Sequence, residues 1–225
     1  ILGLTRLSLK RDSIKLIRSF TFSEWTPELE FLDLSLNYGV EFEADAFRGL
    51  AKLSTLFLNS SGIKHLASDT FAGLDNLDTL SLRYNRIGRI AADAFRGLTR
   101  LVWLYMYSNE IGTLQSGAFL GLHNLNTLSL VEDKIGYVEA NAFRGLAQLA
   151  KLYMNTNQIT VLVNDTFAGL HNLDTLKLMN NRIRHIDANA FSGLAQLANL
   201  EMYSNEISLL QNDTFIWLES LNTLS

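Results

Sequence analysis

Hydrophobic residues recur along the whole chain at a fixed interval of 24 residues. The unit is clearest in Leu101–Leu122, LVWLYMYSNEIGTLQSGAFLGL, and its opening leucine stands at positions 4, 29, 53, 77, 101, 125, 149, 173, 197 and 221. A second leucine follows three positions later in every unit, and a phenylalanine follows eighteen positions after nine of the ten opening leucines. Such a period predicts a solenoid in which each repeat packs on its neighbours.

Each unit begins with a pattern that predicts a short strand. In residues 101–108 the alternation places Leu104 and Met106 inward, whereas Trp103, Tyr105 and Tyr107 point outward. Successive strands should stack in parallel, about 4.8 Å apart. The isoleucines that follow the strand and the phenylalanine column should fill the interior behind the sheet.

A turn follows each strand, and its key position carries asparagine in six repeats: Asn37, Asn85, Asn109, Asn157, Asn181 and Asn205. An asparagine amide both donates and accepts hydrogen bonds, so a column of amides can satisfy buried turn groups. Asp12, Ser61 and Asp133 take this position in three repeats, where we expect local loosening without a break. Repeats ending in variants of DAFRGL alternate with repeats ending in variants of DTFAGL, which indicates duplication of a 48-residue pair.

The LxxLxLxxN strand and turn, together with the phenylalanine column, resemble the "typical" 24-residue leucine-rich repeat class of extracellular proteins. That class includes Toll-like receptor ectodomains, variable lymphocyte receptors and Slit proteins. The resemblance implies an α/β fold, a curved horseshoe with a parallel β-sheet on its concave face. Short turns or helical turns are expected on the convex face.

The chain is predicted to form one array over residues 1–225, with nine full repeats and part of a tenth. It contains no cysteine, although extracellular members of the class usually carry cysteine-bearing caps. It also starts at core positions (Ile1, Leu2, Leu4) and stops within a strand (Leu224). We therefore expect an interior fragment that lacks both caps and associates with itself through its apolar ends.

Composition and motifs give no indication of catalysis. The chain has no glycine-rich phosphate loop, no HExxH segment and no nucleophile elbow, and His123 and His171 lie two repeats apart, too far to share a metal ion. The sequence therefore predicts no enzyme activity, no metal and no cofactor.

The net charge of −4 gives no general attraction to nucleic acid, and no stretch of the sequence is long and apolar enough to predict a membrane span. The arginines Arg83, Arg86, Arg89, Arg96 and Arg100 are interpreted as solvated surface; a glycan or polyanion patch stays open.

The outward positions of the strands carry the most informative residues. Aromatic and cationic side chains are enriched there, as at protein interfaces, although rings on an exposed sheet also raise strand propensity. The predicted partner-binding residues are Phe57, Arg83, Tyr84, Trp103, Tyr105, Tyr107, Lys151, Tyr153, Lys177, Met179 and Tyr203.

Three N-x-S/T sequons begin at Asn59, Asn164 and Asn212. Their use would require secretion, and with the class resemblance they favour an extracellular or cell-surface location. A glycan on Asn59 would obstruct the third repeat and leave the fourth to ninth repeats available. The predicted function is a ligand-binding ectodomain of an immune or cell-surface receptor that holds a protein on its concave face. The alternative is a matrix or adhesion scaffold with a bridging role.

Overall fold

The computed structural model describes residues 3–22 and 26–225, so Ile1 and Leu2 lie outside the described residues. The described chain forms short strands joined by turns. In chain order they are β1 Arg6–Ser8, β2 Leu16–Ile17, β3 Phe31–Asp33, β4 Glu41–Phe42, β5 Thr55–Phe57, β6 His65–Leu66, β7 Thr79–Ser81, β8 Arg89–Ile90, β9 Trp103–Tyr105, β10 Thr113–Leu114, β11 Thr127–Ser129, β12 Tyr137–Val138, β13 Lys151–Tyr153, β14 Val161–Leu162, β15 Thr175–Lys177, β16 His185–Ile186, β17 Asn199–Glu201 and β18 Thr223–Leu224.

One ten-stranded parallel sheet runs the length of the array, in the order β1-β3-β5-β7-β9-β11-β13-β15-β17-β18. Its register follows the sequence period, because Leu104 pairs with Leu80 on one side and with Leu128 on the other. These leucines are fully buried. Each 24-residue repeat therefore forms one turn of a parallel-stranded solenoid, as the period predicts. The convex returns of the described residues contain turns and two-residue strands, with no helix.

The phenylalanine column forms a continuous stack behind the sheet. Phe143 is fully buried, and its ring centroid lies 6.0 Å from those of both Phe119 and Phe167, with interplanar angles of 1° and 10°. The prediction that the phenylalanine column fills the interior is confirmed at Phe143. Each ring thus packs on the repeat before and the repeat after it, which couples neighbouring turns of the solenoid.

The asparagine column satisfies the buried turns as predicted. The side-chain amide of Asn157 donates to the carbonyls of Leu130 and Met154 at 2.7 and 3.0 Å, and its oxygen accepts from the backbone N–H of Ile135. The structure shows no loosened register at Asp133, because β9, β11 and β13 remain paired around it. The irregularity is chemical: one buried carboxylate oxygen of Asp133 has no hydrogen-bond partner.

The two-residue strands of the convex returns form two-stranded sheets. They form four separate ribbons, β2–β4, β6–β8, β10–β12 and β14–β16. Each ribbon joins an odd repeat to the next even repeat, so its spacing matches the 48-residue period of the sequence. Gly112, at the start of the third ribbon, has a φ of 69°, a conformation that glycine adopts readily. The backbone N–H of Thr113 donates to the carbonyl of Ile111, within the same repeat.

The two ends of the array differ from its middle. Leu4 and Leu7 pack, partly buried, against the core, whereas Leu210 and Leu224 are about half exposed. The phenylalanine of the ninth repeat, Phe215, is also only partly buried. The physical reason is that the tenth turn contributes only residues 221–225. In the described part of the chain, no helical segment has the length and hydrophobicity needed to cross a bilayer.

Candidate partner-binding surface

The outward side of the ten-stranded sheet brings the predicted partner-binding residues onto one face. All eleven lie within a strand or in the three residues that follow one, and none of them is buried. Trp103 and Tyr203 are exposed by 37% and 49%. Small residues flank the central rings: Tyr105 pairs with Ser81 and Ser129 on the neighbouring strands. These side chains are short, and Tyr105 is only partly buried.

Arg83, Tyr84, Tyr105 and Tyr107 form one contact group, the Arg83 cluster. The guanidinium carbon of Arg83 lies 4.6 Å from the ring centroid of Tyr105 and 5.2 Å from that of Tyr107. The rings of Tyr107 and Tyr84 meet edge-on, with centroids 5.1 Å apart. These distances are typical of cation–π and edge-to-face aromatic pairs. The sequence placed these residues on one face, and the structure brings them into contact.

A side chain of the preceding repeat forms hydrogen bonds with the chain segment that carries Arg83. The side-chain oxygen of Asn59 accepts from the backbone N–H of Arg83 at 3.0 Å and from the hydroxyl of Ser81 at 2.6 Å. The hydrogen bond with Tyr107 is the largest cause of a raised pKa at Tyr84, and the charge of Arg83 opposes the shift. Tyr84 is therefore a neutral, hydrogen-bonding phenol at neutral pH.

A second contact group lies further along the face and contains a residue that the sequence analysis missed. Lys177 forms an ion pair with Glu201 at 3.1 Å, and its ammonium lies 5.9 Å from the ring centroid of Tyr153. The three residues occupy the same strand position in successive repeats. The signal for Glu201 was available, because it follows Lys177 by one 24-residue period.

Phe57 also has partners that the sequence analysis did not name. Its ring meets Phe31 at 5.4 Å and 81°, and the guanidinium of Arg6 lies 4.0 Å above the Phe31 ring. The remaining predicted residues, Trp103, Lys151, Met179 and Tyr203, share the face without joining either group. The face therefore carries an aromatic centre around Trp103 and Tyr105 with cations on both sides.

The described residues 3–22 and 26–225 contain no group of three or more His, Cys, Asp or Glu side chains placed to hold a metal ion. The arginines that follow one another between residues 83 and 100 do not form one patch. Arg83 lies on the large sheet, Arg89 lies in the convex strand β8, and Arg100 contacts the side chain of Asn76.

The leucine-rich repeat family model matches the chain over residues 3–63, 52–111, 107–159, 151–207 and 171–225. The chain belongs to the leucine-rich repeat family. This agrees with the register of the large sheet, to which each 24-residue repeat contributes one strand.

Two solved structures show how leucine-rich repeat proteins similar to this one are built. The crystal structure of a TLR13–ssRNA13 complex matches with a TM-score of 0.84 and 28% identity, over 92% of this chain and 30% of that chain. The leucine-rich repeats of FLRT2, in an octameric complex with Latrophilin 3 and Unc5D, match with a TM-score of 0.70 and 24% identity, over 99% of this chain and 74% of that chain. This chain thus spans 30% of the length of the TLR13 chain. No curated protein shows significant sequence similarity to it.

The three sequons occupy two different positions of the repeat. Asn164 and Asn212 are exposed and lie 48 residues apart, at the same position of the seventh and ninth repeats, whereas Asn59 is half-buried beside the Arg83 cluster. The threonines of the sequons at Asn164 and Asn212, Thr166 and Thr214, are buried and donate to nearby carbonyls. Asn164 and Asn212 thus lie in loops outside the strands of the large sheet.

Proposed function

We propose that this chain is an extracellular binding ectodomain that holds a protein partner on its concave sheet, without catalysis. The observation that carries the proposal is the aromatic centre formed by Trp103, Tyr105, Tyr107 and Tyr84. Rings are the usual energetic anchors of protein interfaces, because they bury a large area while losing little side-chain entropy. Here Tyr84 is exposed by 57% and Trp103 by 37%.

The comparisons support a receptor-like binding role. TLR13, 28% identical over the matched region, was solved in complex with ssRNA13. A protein partner fits the concave face of this chain better than RNA, because RNA binding relies on many cations along the phosphate path. On this face Arg83 and Lys151 are separated by three repeats, and Lys177 is paired with Glu201.

An immune or cell-surface receptor is the role we favour, and a matrix or adhesion scaffold is the rival. A receptor ectodomain should bind one defined protein at a single site. A scaffold would instead associate with itself or bind several partners and glycans along its length. Both roles place the chain outside the cell, which the three sequons favour.

The test is an array of purified ectodomains and matrix glycans, probed with a fluorescent tetramer of the chain. We expect a protein hit that the Trp103→Ala/Tyr105→Ala double variant no longer binds. The convex variant Arg144→Ala serves as the folded control, since Arg144 is exposed on the opposite side. Binding that survives the concave change and disappears with the convex change would sink the concave-face proposal. Glycan or self-binding alone would favour the scaffold.

A further inference from the structure

We propose that Arg83 is the anchoring point for a carboxylate side chain of the protein that binds the concave face. The inference rests on the proposed function and adds the chemistry of one contact. It starts from a cation that is held in place on the sheet but is left without a counter-charge.

The charge of Arg83 is unpaired within the described residues. Ion pairs there involve five other lysines and arginines: Arg48, Lys52, Lys134, Lys177 and Arg184. The side chain of Arg83 has one hydrogen bond, a long one of 3.5 Å to the hydroxyl of Tyr107, and its buried Nε atom has none. Glu132, the acidic residue that influences Tyr84, is bonded to the hydroxyl of Ser108.

The chain itself shows what completes such an arrangement. At Lys177, a cation lies near the Tyr153 ring and a carboxylate, Glu201, contacts it at 3.1 Å. At Arg83, the tyrosine rings are present at 4.6 and 5.2 Å, and the carboxylate is missing. A partner's Asp or Glu would take the role at Arg83 that Glu201 takes at Lys177.

The surroundings of Arg83 favour a single carboxylate over a polyanion. The residues that contact Arg83, namely Asn59, Tyr105 and Tyr107, are uncharged. Lys151 lies three strands away, about 14 Å by the spacing of strands in a sheet. A phosphate or sulfate chain is held by a series of cations, whereas one guanidinium matches one carboxylate through two parallel hydrogen bonds.

The position of Arg83 also lowers the cost of binding. Its backbone N–H is fixed by Asn59 at 3.0 Å, and the two rings restrict its side chain. A preorganised cation loses less conformational entropy when a partner arrives. The rings of Tyr105 and Tyr107 lie beside the guanidinium, so an acidic residue next to an apolar one is the partner motif that this surface fits.

The experiment uses phage-displayed random peptides as the probe, selected in parallel on the wild-type chain, Arg83→Met, Arg83→Lys and the convex control Arg144→Met. We expect peptides selected on the wild type and on the control to be enriched in Asp and Glu, with no enrichment on Arg83→Met.

The affinity of individual selected peptides is the second measurement. A selected peptide should bind Arg83→Met at least about tenfold more weakly than it binds the wild type. The same peptide with its Asp or Glu changed to Asn or Gln should bind both proteins equally weakly. The affinity of the peptide for Arg83→Lys should lie between those for the wild type and Arg83→Met. Lysine keeps the positive charge but cannot form the two parallel hydrogen bonds of a guanidinium.

The outcomes separate this inference from the proposed function. Selected peptides that depend on Trp103 and Tyr105 but not on Arg83 would overturn the carboxylate contact and leave concave binding intact. Peptides that depend on Arg144 alone would overturn both. A heparin oligosaccharide that binds through Arg83, while selected peptides show no acidic enrichment, would assign Arg83 to a polyanion and overturn the proposal. Circular dichroism melts of each variant confirm folding before the comparison.

Discussion

Asp133 accepts a hydrogen bond from the backbone N–H of Asn109 at 2.6 Å, in a site where its side chain is fully buried. Its second carboxylate oxygen has no partner. In the repeats with asparagine, an amide nitrogen donates to two carbonyls from this position, as Asn85 does to Leu58 and Leu82. A carboxylate cannot donate, so the buried site favours the protonated acid.

The stability of the array should therefore fall as the pH rises between about 4 and about 8. Burial is the main cause that raises the pKa of Asp133 from 3.8 to about 8, while the Asn109 hydrogen bond opposes it. Because the folded pKa exceeds the unfolded one, folding takes up a proton in this window. The stabilisation is fully present below the unfolded pKa and is lost as the pH passes the folded pKa.

The measurement is a series of urea melts of the wild type and Asp133→Asn across this pH range. The difference in their unfolding free energy should change by at most about 1.4 kcal/mol per pH unit, in favour of the variant at high pH. Glu132→Gln is the matched control, because Glu132 raises the pKa of Asp133 only as a minor cause. A difference between wild type and Asp133→Asn that is independent of pH would show that Asp133 does not titrate in this window.

Phe143→Ala should destabilise the middle of the array by about 3–5 kcal/mol, as large-to-small changes in cores do. The ring is fully buried between two parallel rings 6.0 Å away. Neighbouring repeats should lose most of the stability, since a solenoid transmits a local loss to adjacent turns. Denaturant melts with hydrogen exchange measure both effects. The adjacent exposed change Arg144→Ala should stay within about 0.5 kcal/mol; a cost below about 1 kcal/mol for Phe143→Ala would contradict the packing argument.

Trp103→Ala and Tyr105→Ala should each reduce partner binding by about 2 kcal/mol or more, the usual threshold for an interface anchor. Both rings project from β9 in the middle of the sheet. Affinities are measured for the protein hit from the ectodomain array, with thermal melts recorded separately for each variant. Arg144→Ala should leave the affinity within about 0.5 kcal/mol. Full-strength binding by both aromatic variants would place the partner elsewhere.

Expression through a secretory pathway should place glycans on Asn164 and Asn212 more completely than on Asn59. Asn164 and Asn212 are exposed, although the side-chain oxygen of Asn164 accepts from the N–H of Asn189 at 3.1 Å, whereas Asn59 is half-buried and accepts from both Ser81 and Arg83. Intact mass spectrometry before and after enzymatic deglycosylation measures the occupancy, and Asn164→Gln and Asn212→Gln should each remove one glycan. Dominant occupancy at Asn59 would instead close the Arg83 cluster to partners.

The period of the sequence was sufficient to predict the strand register, the buried columns and the outward side of the strands. Leu104 and Phe143 could be placed inside because a 24-residue turn repeats the same environment at every return, so one correct assignment applies to all repeats. The same reasoning placed Trp103 and Tyr105 on the outward face. Hydrophobic burial dominates folding, and the spacing of the apolar residues can be read from the sequence without a structure.

Contacts between repeats had to come from the tertiary structure. The distances from Arg83 to Tyr105 and Tyr107, and the ion pair between Lys177 and Glu201, depend on side-chain directions across neighbouring strands. The unpaired oxygen of Asp133 depends on which carbonyls surround it. A repeat pattern gives the column that a residue occupies, whereas hydrogen bonds and pKa shifts depend on the distances and burial that only the packed turns create.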